Sequence, residues 1–411
     1  MTDIGPLRSK RFLVAAYGPT TLSSVGHGAV FPLVSLSALD LGASVEHSAF
    51  IVGLLAVGQL LGDLPASYIA TRLGDKWALT LACGWDAVFM AIAFLAGSWW
   101  RSLPVLTLAV FAIGLSGSVF GLARQSYLTA ATPVHVRARA LSTLGGVFRI
   151  GFFVGPLIGA GVIHASGLAA AYIFASGMSV FAGLVTLLLP DLPRTTEVVD
   201  GTEKVAEPKL FAVLRAHVHT YLVLGTGVLV LALARQVRQV ILPLWCESLG
   251  MEAHLTSLVF SFSMVFDMSL FYLGGKVMDR FGRMWVAVPS TLLLGVGLLL
   301  LPLTSSLVGV LVVAFILGVG NGIGSGLVMT LGSDSSPDYG RTQFLSGWRL
   351  MSDLGNLLGP LAISALTAIS SLALACLGTG ALTVAGAAWL GCGIKKMPAL
   401  KERTKKSLRE L

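Results

Sequence analysis

The chain has 411 residues, of which 55% are hydrophobic and only 12% charged. That is too little polar surface to cover a water-soluble globule, so the composition excludes a soluble fold and makes lipid the solvent for most of the chain. The net charge of +8 would by itself suit a nucleic-acid partner, but its distribution along the chain excludes that reading.

Apolar runs close to the roughly 20 residues that cross a bilayer as a helix recur from end to end. Twelve spans are predicted, at 12–36, 48–70, 77–97, 103–125, 141–163, 169–189, 219–245, 254–276, 284–304, 307–331, 342–366 and 371–394. They read as helices, because a lipid-exposed backbone must satisfy its own hydrogen bonds and the polar alternation of a membrane barrel is absent. The apolar run after Arg8–Arg11 is a full span without a small-residue cleavage site, so span 1 is expected to act as the insertion signal. Most of the 28 Lys and Arg residues fall at the N-terminus, in the even-numbered loops and in the tail, and only Arg101 lies in an odd-numbered loop. Basic loops mark the cytoplasmic side, so both termini are expected there. The tail, with Lys395, Lys396, Lys401, Arg403, Lys405, Lys406 and Arg409, is expected to rest on anionic headgroups. Cys83, Cys246, Cys376 and Cys392 occur singly, without metal or CxxC spacing, and read as packing residues.

The polar stretch 190–217 reads as a linker between a first half, 1–189, and a second, 218–394, with a basic tail at 395–411. The halves align in register. Pro32-Leu33 returns as Pro243-Leu244, while Arg72, Gly74 and Trp77 return as Arg280, Gly282 and Trp285. Pro133, Arg137, Leu141-Ser142, Gly151 and Gly155-Pro156 return as Pro337, Arg341, Leu345-Ser346, Gly355 and Gly359-Pro360. Six spans is an even number, so the copies enter the membrane in the same orientation, as parallel repeats.

These residues resemble the major facilitator superfamily over essentially the whole chain apart from linker and tail. Gly275-Lys-Val-Met-Asp279-Arg280-Phe-Gly282-Arg283 matches that superfamily's signature loop, and the first-half copy keeps Arg72, Gly74 and Lys76 but has Thr71 in place of Asp. The resemblance implies a twelve-helix fold of two six-helix bundles and a gate latch at Asp279. Gly151-Phe-Phe-Val-Gly155-Pro156-Leu-Ile-Gly159-Ala160 looks like the motif of the antiporter branches, which include drug exporters. The Arg carried by many proton-linked exporters in span 4 is missing from Val105–Gly121.

Charges at membrane depth are costly, so each is a candidate for function. At ~1.5 Å per residue, Asp267 and Arg149 both lie ~18 Å from the cytoplasmic end, and Asp63 and Arg349 both ~12–14 Å. In the family spans 5 and 8, and spans 2 and 11, are neighbours. Arg149–Asp267 and Asp63–Arg349 are therefore expected as pairs between the halves, with Gln59 and Asp353 one turn further out. They are either static ion pairs or a proton-bearing carboxylate that releases its arginine on protonation. His27 and its second-half equivalent Arg238, with Arg235 one turn before it, are expected toward the outer side, lining a cavity in the family fold. There His27 is suited to titrate and the arginines to hold an anionic group. Asn321, Gln125 and Trp348 add polar or aromatic surface, while Asp86 and Arg124 read as structural.

The leading function is a proton-coupled exporter of a small amphipathic or hydrophobic molecule, acting as a monomer in a bacterial plasma membrane, with protons and lipids as its other partners. The alternative is an importer or facilitator of a small, possibly anionic, metabolite. A transport-dead sensor would lack an intact gate loop. No nucleotide-binding loop, metal constellation or nucleophile triad is present, so no enzyme, no cofactor and no ATP drive are expected from this chain.

Overall fold

The computed structural model describes residues 10–132, 134–188, 210–337 and 341–409. Linker residues 190–209 and Pro133, and the side chains of Thr71, Arg137, Arg341 and the tail from residue 397, lie outside the described residues. The described residues are almost wholly helical and contain no strand. In chain order the helices are α1 (Lys10–Val30), α2 (Leu33–Asp40), α3 (Val45–Leu73), α4 (Asp75–Ser98), α5 (Leu103–Ala131), α6 (Val134–Ser166) and α7 (Ala170–Leu187). They continue as α8 (Leu210–Ala216), α9 (Val218–Thr220), α10 (Thr226–Ser248), α11 (Ala253–Phe281), α12 (Met284–Leu300), α13 (Leu307–Ile323), α14 (Leu327–Ser335), α15 (Arg341–Ile369) and α16 (Leu372–Arg409). A π turn at Tyr221–Gly225 joins α9 to α10.

Among the described residues eleven helices are long and apolar enough to cross a membrane, and a bent pair, Tyr17–Val30 with Leu33–Asp40, makes up a twelfth span. The 41° bend of that pair falls at Phe31-Pro32, where the proline ring removes a backbone donor and cannot continue a straight helix. The expected continuous helix over 307–331 is interrupted at Gly324–Gly326 between α13 and α14. Gly320, Gly322, Gly324 and Gly326 recur at every second position there, and glycine favours the helix least of all residues but proline. At the far end α16 runs on beyond span 12 to Arg409, so the basic tail continues the last helix.

The chain forms two compact units. The first contains the residues up to Thr196 together with Pro243–Met264, and the second Glu197–Leu242 with Val265–Leu411. In the first, α1 packs on α6 and α7, α3 on α5, and α4 on α5 and α7. The segment 243–264, which ends α10 and begins α11, belongs to this unit by direct contact. Ser261 Oγ donates to the Phe153 carbonyl at 3.0 Å, Phe260 lies 6.3 Å from Phe31, and Ala253 packs on the cluster of Leu33, Leu36, Ile163 and Ala171.

In the second unit α12 packs on α13 and α16, and α15 on α16. Tyr221 stacks on Phe344 at 5.2 Å and donates to its carbonyl at 2.8 Å, and His217 meets the same ring edge-on at 5.0 Å. Burial there holds the His217 imidazole below its ordinary range, against a smaller opposite effect of its bond to the Val213 carbonyl. A base with a depressed folded pKa binds more protons unfolded, so it removes stability as pH falls through the ordinary histidine range. His217→Phe is accordingly expected to flatten the loss of thermal stability between about pH 7 and 5, read by melting the purified protein across that interval.

The repeated glycine motif does the same mechanical work in both units. A Cβ at Gly155 would stand 2.7 Å from the Ala29 nitrogen and 2.9 Å from the Gly28 carbonyl carbon, so only glycine lets α6 approach the α1 backbone this closely. Gly159 lies against Ala29, and Gly151 against Ser24. In the second unit a Cβ at Gly359 would stand 2.8 Å from Gln236 Cβ and 3.0 Å from the Leu233 carbonyl oxygen, and one at Gly355 would stand 2.8 Å from Ala232 Cβ. Span 5 is thus seated on span 1 as span 11 is on span 7.

Candidate functional site

Each unit buries one polar centre among apolar helices. In the first, the close seating of α6 fixes the α1 segment Ser24–Ala29 that carries His27. His27 Nδ1 lies 2.9 Å from the carbonyl oxygen of Ser23, one turn back, which accepts from it and orients the ring. Nε2 then points at Asp86 on α4, with Oδ1 at 3.2 Å. Asp86 also accepts from Ser116 of α5 at 3.0 Å and from Ser179 of α7 at 2.6 Å. Four helices therefore converge on one carboxylate, a network that needs every member satisfied to be tolerated in an apolar interior. A cavity of about 20 Å³, measured for the centre of a water molecule, opens between Ser23, His27, Cys83, Asp86, Ser116 and Ser179.

In the second unit the equivalent of His27 is Arg238, whose side chain is 2% exposed. Its Nη2 lies 3.3 Å from Asp267 Oδ2 on α11, and Asn321 Nδ2 of α13 donates to the same oxygen. Arg235, one turn back, donates through Nη2 to the Gly324 carbonyl at 2.6 Å. That carbonyl belongs to the break between α13 and α14, so the arginine cation binds a backbone acceptor that the interrupted helix exposes. Arg235 and Arg238 thus stand one turn apart on α10, one on a backbone carbonyl and the other on a carboxylate.

Within its own unit each of these carboxylates has a partner. Asp267 is held there by Arg238 and Asn321. Asp63, exposed on α3, accepts from Ser118 of α5, and Arg349 pairs with Asp353 four residues along α15 at 3.5 Å. Gln59 lies beside Gly117, one turn from Asp63. Trp348 donates from its indole to the Val328 carbonyl at 2.8 Å, which ties α15 to α14. Asp86, read from the sequence as structural, stands at the middle of the first centre, and Ser116 and Ser179 were not singled out at all. A hydroxyl in an apolar span has too many bland uses for the sequence to mark these two. Asn321→Leu is expected to leave Asp267 one donor short and to cost about 1–3 kcal/mol, measured by denaturation in detergent.

The turns between α3 and α4 and between α11 and α12 use the same backbone device. Gly74 and Gly282 take φ of 86° and 95°, a left-handed conformation open to glycine and strained for other residues. Arg72 lies over the Tyr68 ring at 5.1 Å and Arg280 over that of Phe281 at 5.3 Å. Asp279, anticipated as a latch, is 84% exposed and lies 3.7 Å from Arg283. The short contact of this loop is instead Arg283 Nε to Asp334 Oδ2 of α14, at 2.7 Å, which raises the guanidinium pKa above its ordinary value. Asp75, the repeat equivalent of Arg283, accepts from Ser126 of α5 at 2.9 Å. Both loops are thus tied to the end of span 4 or span 10, one by an ion pair and the other by a hydroxyl. The Arg283–Asp334 pair is part-exposed, so Arg283→Ala is expected to cost under about 1 kcal/mol, checked by a double-mutant cycle with Asp334→Ala.

The sequence profile described as Major Facilitator Superfamily matches residues 20–360 and again 224–410. The chain is 25% identical over 179 residues to the multidrug resistance protein MdtG of Proteus mirabilis, an alignment covering 43% of this chain and 44% of that protein. It is 23% identical over 182 residues to the protein of the same name from Salmonella arizonae, with the same coverage. The chain thus spans less than half the length of these curated relatives. Among solved structures, the nucleoside transporter NupG superposes with a TM-score of 0.73 at 14% identity, covering 93% of this chain and 98% of that one. A D-xylose-proton symporter gives 0.68 at 15% identity, covering 92% and 96%. At such identities the likeness is one of fold alone. The profile match across nearly the whole length settles the family: the chain is a multi-pass membrane protein and belongs to the Major Facilitator Superfamily, whose members are transporters and not enzymes.

Proposed function

We infer that the protein is a proton-coupled exporter of small amphipathic or hydrophobic molecules, working as a monomer by alternating access in a bacterial inner membrane with both termini cytoplasmic. The observation that carries this reading is the antiporter-type motif of span 5, whose Gly151, Gly155 and Gly159 seat α6 against the His27-bearing segment of α1. The multidrug resistance proteins among the relatives support the substrate class. Cells expressing the protein should accumulate severalfold less ethidium than cells without it, and a protonophore should abolish the difference. Equal accumulation in the two strains would count against export.

A second reading, import or facilitated passage of an anionic metabolite, draws on the two guanidinium groups, Arg235 and Arg238, one turn apart on α10. It predicts gradient-independent uptake of small carboxylates or phosphates into liposomes, lost on Arg235→Gln.

A further inference from the structure

Resting on the reading of the protein as a proton-coupled transporter, we propose that His27 and Asp86 form the proton-binding site of the first half, holding one exchangeable proton at the contact of Nε2 with Oδ1. The hydrogen-bond geometry favours that proton. Nδ1 lies 2.9 Å from the Ser23 carbonyl oxygen, which can only accept, and 3.4 Å from the Ser23 hydroxyl, so the shorter contact puts the ring hydrogen of the neutral imidazole on Nδ1. Nε2 is then a lone pair in the neutral ring and an N–H only in the cation. Opposite it at 3.2 Å is Asp86 Oδ1, which as a carboxylate oxygen is also only an acceptor. Two acceptors repel, so the contact calls for one further proton, held on Nε2, the more basic of the two. Loss of that proton breaks the tie between α1 and α4.

The surroundings fit a proton that comes and goes. The His27 side chain is 25% exposed and that of Asp86 5%, so the ring gives the carboxylate its route of exchange. The cavity beside them, at about 20 Å³, has room for one water, with hydroxyls of Ser23, Ser116 and Ser179 around it. Ser116 donates to Oδ1 of Asp86 and Ser179 to Oδ2, so both oxygens keep a donor when the proton leaves. From α4 the thiol of Cys83 also lines the cavity, and from α5 the permanent cation acting on the pair is Arg124, stacked on Phe120 and Phe148. α7 contributes Ser179 and carries no charged residue. On α6, Arg149 precedes Gly151 by two residues, roughly 200° round the helix from the face seated on α1. Because that face grips residues 24–29, a change at His27 is transmitted to α6 as well as to α4.

The test uses the full-length protein in lipid nanodiscs with its seven histidines labelled with ¹⁵N, the His27 signal being the one lost in His27→Gln. In the native protein Nε2 is expected to lose its proton within about pH 5–9 while Nδ1 keeps its own. In Asp86→Asn the amide N–H donates to a neutral Nε2, so the ring is expected to stay neutral throughout. In proteoliposomes, pH-gradient-driven ethidium accumulation is expected to fall at least roughly tenfold in Asp86→Asn and in His27→Gln. A native His27 that stays neutral at every pH, or an Asp86→Asn protein driven by the gradient like the native one, overturns the proposal. Titration of His27 as expected with no gradient-driven ethidium transport by the native protein would uphold the proton site and sink the transport reading.

Discussion

Replacing Arg238 by methionine should destabilise the protein by about 3–5 kcal/mol, the largest effect expected of any single side chain. The substitution keeps most of the volume and removes the cation that Asp267 has within its own unit, leaving a carboxylate inside the membrane that keeps the Asn321 donor. An isolated buried charge costs far more than the pair contributes, because desolvation is no longer offset by attraction. The same reasoning makes a second, less intuitive prediction. Arg238→Met combined with Asp267→Leu should recover most of the lost stability, since a packed apolar pair has no charge to desolvate. Urea or thermal unfolding in detergent of the single and double variants checks both. A double variant no more stable than Arg238→Met would mean that the pair holds the unit together by more than mutual compensation.

Enlarging Gly155 should be the next most damaging change. An alanine Cβ there would meet the α1 backbone at 2.7 Å, and backbone cannot turn aside as a side chain can. The two helices must separate, at a cost of roughly 1–3 kcal/mol. Gly359→Ala makes a slightly shallower intrusion between α15 and α10, against Gln236 Cβ at 2.8 Å and the Leu233 carbonyl oxygen at 3.0 Å, both fixed by the α10 backbone, so a somewhat smaller penalty is expected. The comparison also separates packing from function. If the span 5 motif serves transport through the His27 segment, Gly155→Ala should lose activity out of proportion to its loss of stability. Gly359→Ala should lose the two in step. Melting temperatures and initial transport rates of the two variants, set side by side, decide it.

The fold was legible in the sequence because bilayer thickness and backbone hydrogen bonding leave few solutions for so apolar a chain. The spans, the repeat and the glycine turns at Gly74 and Gly282 all follow from those two constraints. The interruption after Ile323 was present as a glycine alternation, but glycine is common in membrane helices and the run did not announce a break. The partners that the buried charges have within their own unit were not legible, and Asp267 shows why. Counting residues from a helix end gives depth, at ~1.5 Å per residue, and depth put Arg149 level with it. It gives no rotation about the axis, which turns by ~100° per residue, and rotation decides whether a side chain meets a neighbour in its own half. Arg238 and Asn321 meet Asp267 because α10 and α13 present those faces to α11. Asp86 was hidden differently. Its partner is a histidine, which registers as neutral when fixed charges are matched, and its other ligands are two serines.

The most direct test of the central claim, proton-coupled export, is made with purified protein in liposomes carrying an acidic interior. Ethidium should accumulate inside against its gradient while protons leave. Accumulation should vanish when nigericin collapses the pH difference and fail to start when the interior is alkaline. Ethidium entry at one rate, up to equilibrium and no further, whatever the sign of the pH difference, would contradict the account and leave a facilitator.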